Sequence, residues 1–161
     1  MKLRNIKVSF IFENDVLKTE RRQVIWKNEN LTFTIYKGAT KLVNVTGLKC
    51  VEEIKQQETL LEKKFKTKCL KVRIDNAFFS KKDYKNIDMT ALYNAMKARK
   101  DYFTNYNIEL FAGMYLHPIN KLYPTILVFR TGSYTIMGGK SLKLIYKTEQ
   151  FIINIIQMFV K

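Results

Sequence analysis

The chain has 161 residues, 47% hydrophobic and 13% aromatic, which is enough apolar material for one packed domain and too much for a disordered chain. Its 29 Lys and Arg against 14 Asp and Glu leave a net charge of +15, which on so small a domain points to a polyanionic partner: nucleic acid, an anionic membrane or an acidic protein. Two cysteines exclude a disulfide framework, the single His117 has no Cys or His at metal-ligand spacing, and no phosphate loop, nucleophile elbow, signal-peptide core or membrane-length apolar run is present, so neither an enzyme, a metal or cofactor protein nor a membrane protein is expected.

In chain order, "KLRNIKVSFIFE" (2–13) is rich in Val, Ile and Phe with few breakers and reads as a strand. "ENDVLKTERR" (13–22) is polar, a loop or one helical turn. "QVIWKN" (23–28), "NLTFTIYKG" (30–38) and "TKLVNVTG" (40–47) are strands separated by turn residues. The period then changes. In "LKCVEEIKQQETLLEKKF" (48–65), Val51, Ile54, Leu61 and Phe65 lie on one helical face, and charged residues occupy the rest. "KCLKVRIDNAFF" (68–79) is again a strand. "DMTALYNAMKARKDYF" (88–103) is a helix with Asp88 placed as its N-cap. "NIELFAGMYLH" (107–117) and "PTILVFRTG" (124–132) are strands joined by a loop assigned both prolines, and "SYTIMGG" (133–139) is a third. "SLKLIYKTEQFIINIIQMFV" (141–160) is a closing helix with Leu142, Ile145, Ile152, Ile156 and Phe159 inward.

The order repeats: strand, variable segment, three strands, long helix, twice. Asn5 and Asn76 open the two halves 71 residues apart, and Gly47 and Gly138, each followed two residues later by Lys49 or Lys140, lie 91 apart. The surplus of 20 falls where the second half carries an extra helix. The chain therefore reads as one α+β domain spanning 1–161, with a degenerate first repeat (1–68) and a second repeat (69–161). Helices would cover one face of the strands. Leu127 and Phe129 share one face, as do Thr135 and Met137, but alternation alone does not say which face is open. An open apolar face on a basic protein suits a DNA minor groove, with apolar sugars within and phosphates at both rims.

The segments "IDNAFF", "ELFAGMY" and "TILVFRTGSYTIMGGK" resemble the second half of the TATA-box-binding protein family, and "LRNIKVS", "LTFTIY" and "VNVTGLK" resemble its first half. The resemblance implies a saddle: two pseudo-symmetric repeats forming one curved antiparallel sheet with two long helices on the convex face. It implies a minor-groove DNA-binding initiation factor that recognises A·T-rich promoter DNA and recruits initiation factors or polymerase subunits. The alternative is a scaffold or regulator that no longer bends DNA and works through its helices. Such a protein acts inside the cell at the site of transcription. Its richness in Lys, Asn, Ile and Tyr reads as that of a divergent, virus-borne homologue.

The resemblance also implies roles for residues. Phe111 and Phe129 match phenylalanines that wedge between base pairs, Tyr36 occupies one wedge position of the first half, and the other is left to Arg21, Arg22 or Gln23. Asn5 and Asn76 match asparagines that bond groove acceptors near the pseudo-twofold. Thr46 matches a base-contacting threonine whose second-half counterpart is Met137. Leu127 falls among groove-lining positions, and Lys7 and Asn44 in the first half and Phe78 and Thr135 in the second stand at groove-lining positions where the family prefers valine. Lys49 and Lys140 match positions near the phosphate rim, and Arg130 and Thr131 follow Phe129 within reach of it.

Overall fold

A computed structural model of the protein describes residues 2–17, 20–83 and 85–161. Its strands are β1 (Lys2–Phe12), β2 (Gln23–Asn28), β3 (Leu31–Tyr36), β4 (Leu42–Leu48), β5 (Cys69–Lys81), β6 (Tyr102–Asn105), β7 (Gly113–Pro118), β8 (Thr125–Phe129) and β9 (Tyr134–Gly139). Among the described residues there are three helices, α1 (Val51–Phe65), α2 (Met89–Lys97) and α3 (Leu142–Gln157). The strands belong to one sheet in the order β2-β3-β4-β1-β5-β9-β8-β7-β6. The chain divides into two compact units, Leu3–Ala77 and Phe78–Lys161 with Lys2, and the main boundary falls inside β5.

The first unit is an antiparallel meander, β2-β3-β4, whose last strand pairs back onto β1. Ile6, Val8, Phe10 and Phe12 of β1, Phe33 and Ile35 of β3, and Val43 and Val45 of β4 alternate onto one face and are buried. Helix α1 supplies Ile54 and Leu61 to this core, and its Phe65 meets Phe12 and Trp26 edge-on at 6.2 and 6.1 Å. Each buried side chain of this size contributes about 1.5–3 kcal/mol. Val51, expected on the inner face, is exposed at the first helical position; the buried residues of α1 begin one turn later.

The second unit repeats the plan. Strands β7, β8 and β9 form a meander, and β9 neighbours β5 as β4 neighbours β1. Met114, Leu116, Ile126, Val128, Tyr134 and Ile136 are buried on one face, together with Ile145, Ile152 and Ile156 of α3 and Met89, Leu92 and Met96 of α2. Within this core the Tyr134 hydroxyl donates to Glu149 Oε1 at 2.8 Å, and burial followed by that carboxylate raises its pKa.

Four further sequence expectations need correction. The helix placed over 88–103 ends at Lys97, and Tyr102–Asn105 is strand β6 at the sheet edge. Pairing with β7 and the stacking of Tyr102 on Phe151 at 5.1 Å override the local helical pattern there. The surplus of the second half is therefore a helix and a strand. The strand placed over 107–117 begins only at Gly113, because Asn107 closes a turn by accepting from the N–H groups of Leu110 and Phe111. Pro118 belongs to β7, leaving only Pro124 in the following loop. Phe159 lies beyond α3, where its carbonyl accepts from Asp88 N at 2.9 Å. The expected cap holds: the Asp88 carboxylate accepts from Ala91 N at 3.0 Å.

Candidate nucleic-acid interface

The register decides which face is open in each unit. In the second, Phe129 lies opposite Gly113, and Leu127 lies between Tyr115 and Thr135. Met137 lies opposite Thr125. These residues stand back to back with the buried set, so Leu127, Phe129, Thr135 and Met137 share the face away from the helices.

Gly113 organises that face. A Cβ built there would lie 2.6 Å from Phe111 Cε1, 2.7 Å from Leu127 Cδ1 and 3.0 Å from Phe129 Cε1. The three side chains thus close over bare backbone that only glycine leaves room for. The Phe111 and Phe129 rings meet edge to face at 6.0 Å, and Phe111 is 43% exposed. Phe111 stacks on Tyr115 at 5.7 Å, Tyr115 stacks on His117 at 5.6 Å, and His117 meets Phe103 of β6 at 6.4 Å. Tyr115, His117 and Phe103 were missed in the sequence. Their signal is the alternation Gly113, Tyr115, His117, legible only once the Leu127 face is known to be open.

The turn after Phe129 is held by Gly132 N donating to Phe129 O at 2.9 Å, with Gly132 at φ +74°. Arg130 is exposed, and its Nε donates to Asn86 Oδ1 at 3.3 Å; the Thr131 hydroxyl donates to Ser133 Oγ at 2.9 Å. Lys140 is exposed. Phe78 is half-buried between the buried Ala77 and Phe79, and Asn76 is exposed.

The first unit differs. Lys7 lies opposite Thr46, which lies opposite Thr32, and Ser9 lies opposite Asn44, which lies opposite Thr34. Its open face is therefore polar where that of the second unit is apolar. Tyr36 is 44% exposed, and its register partner is Gln23, as Gly113 is that of Phe129. Asn5 Oδ1 accepts from Gly47 N at 2.9 Å, so its NH2 group, a pure donor, is turned away from Gly47. Gly47 has φ +106° and sits with its Cβ position 2.2 Å from the Asn30 carbonyl oxygen; Gly138 has φ +80° in open space. The recurrent glycine thus answers a recurrent left-handed backbone. The Lys49 ammonium donates to the Arg4 carbonyl at 2.6 Å, which ties it to β1.

Residues 71–159 match the family model described as "Transcription factor TFIID (or TATA-binding protein, TBP)". The chain belongs to the TATA-binding protein family. The match covers Asn76, Phe78, Phe111, Leu127, Phe129, Arg130, Thr131, Met137 and Lys140, and leaves most of the first unit outside it. The TBP of Methanococcus jannaschii shares the fold, with a TM-score of 0.69 over 98% of each chain at 18% identity. No curated protein matches the chain in sequence. No helix among the described residues is long and apolar enough to cross a membrane.

Proposed function

We propose that this TBP-family protein is an initiation factor that binds A·T-rich DNA through the minor groove and recruits transcription machinery. The observation that carries the reading is the second unit's open face, where Phe111, Phe129 and Leu127 crowd over Gly113 on a chain of net charge +15. Exposed rings fit between base pairs, and the apolar face fits the sugars of a groove whose A·T pairs offer only acceptors. Asn5 and Asn76 are the donors to those acceptors, and Thr46 and Met137 line the groove. Arg130, Thr131, Lys49 and Lys140 lie at the rims, with Lys49 turning from Arg4 to phosphate.

A second reading, a non-bending scaffold acting through its helices, is favoured by one observation: the first unit's open face is polar and offers only Tyr36 as a wedge. Gel shifts on A·T-rich and G·C-rich duplexes across a salt series separate the two. The initiation factor binds the A·T-rich duplex more tightly, with a log-log salt slope of roughly −0.9 per neutralised phosphate. A slope near zero, or no binding, would leave the scaffold.

A further inference from the structure

The open face of the first unit carries an acceptor where an A·T groove offers only acceptors. Ser9 and Asn44, register partners on that face, are buried and hydrogen-bonded to each other. The single Ser9 hydroxyl proton is shared between Asn44 Oδ1 and Asp75 Oδ2, which places the Asp75 carboxylate on the same face. Arg73 Nε donates to Asp75 Oδ1 at 2.7 Å. The Asp75 side chain keeps 18% of its exposure and that of Arg73 keeps 56%, so the carboxylate is held from two sides yet reachable.

A carboxylate donates nothing when ionised and accepts up to about four hydrogen bonds, so Ser9 and Arg73 leave acceptor capacity unused. Facing adenine N3 or thymine O2, it would set acceptor against acceptor. The one donor that any base pair presents in the minor groove is the guanine 2-amino group. We infer that Asp75, positioned by Ser9 and Arg73, reads that amino group, so that the first unit prefers a G·C pair within an otherwise A·T-rich element. The inference rests on the proposed minor-groove binding. Arg73 offsets the carboxylate's charge and, with its exposed end, reaches toward the adjacent phosphate.

The test scans an A·T-rich duplex, replacing one pair at a time with G·C or with inosine·C, which differs only by the missing 2-amino group. At one or two positions on one side of the element, G·C should bind about fivefold more tightly than inosine·C. Asp75→Ala should bring that ratio to about one and leave binding to the all-A·T duplex unchanged or tighter. If Asp75→Ala fails to fold, the G·C against inosine·C comparison on the unaltered protein still decides. Equal binding of the two at every position, with good A·T binding, overturns this inference and spares the proposed function. Failure to bind any duplex overturns both.

Discussion

Gly113→Ala probes the interface without removing any group proposed to touch DNA. The added methyl would meet ring carbons of Phe111 and Phe129 and a methyl of Leu127 at 2.6 to 3.0 Å, so these side chains must retreat by up to roughly 1 Å to reach ordinary separations. Overpacking costs about 1–3 kcal/mol, and the low end applies because Phe111 is already 43% exposed and can swing into solvent. Replacing glycine within a strand returns about 0.5–1 kcal/mol through the unfolded chain. The net loss is therefore about 0–2 kcal/mol, and at about 2–4 °C per kcal/mol for a chain of this length Tm should fall by less than about 8 °C. Both rings, however, leave their positions together. Bending of an A·T-rich duplex, read by energy transfer between end labels, should drop nearly as far as in the Phe111→Ala, Phe129→Ala double variant. Full bending by Gly113→Ala beside lost bending by the double variant would refute the claim that glycine places the rings. A fall of Tm well beyond 8 °C would refute the claim that they can swing aside.

Three further outcomes are expected. The double Phe111, Phe129 substitution should abolish most of the bend and Tyr36→Ala little, because Arg21, Arg22 and Gln23 offer the first unit no second ring; the reverse result in the same energy-transfer assay would overturn the assignment of the two halves. Gly47→Ala should lower Tm more than Gly138→Ala, since both need a positive φ, costing about 1–2 kcal/mol, but only Gly47 drives the new methyl into a backbone carbonyl, at Asn30. Asp88, whose carboxyl pKa is held below its ordinary 3.8 by the Ala91 N–H and by Lys161, stabilises the fold at neutral pH and loses that effect as pH falls through its lowered pKa; the Tm difference between the protein and Asp88→Ala should shrink in the same acid range.

Periodicity in the sequence was enough to order most elements, because helices and strands repeat their apolar residues at different intervals. The same signals placed the Asp88 cap, the inner residues Ile54, Leu61, Ile145, Ile152 and Ile156, and the recurrence of Asn and Gly-x-Lys. Short-range patterns could not supply β6, a four-residue strand that exists through pairing with His117 and Leu116 and stacking on Phe151. Nor could they say which set of alternating residues is covered. Leu127 and Ile126 look alike in sequence; α3 and α2, far along the chain, cover the Ile126 side, and Leu127, Phe129 and Tyr115 fall on the opposite face, where Leu127 is itself buried and the two rings are half-buried. The partnership of Ser9, Asn44 and Asp75 spans 66 residues and comes into being only when β1, β4 and β5 lie side by side. An alternating strand defines two faces by its own geometry, but the identity of the buried one is set by what packs against it.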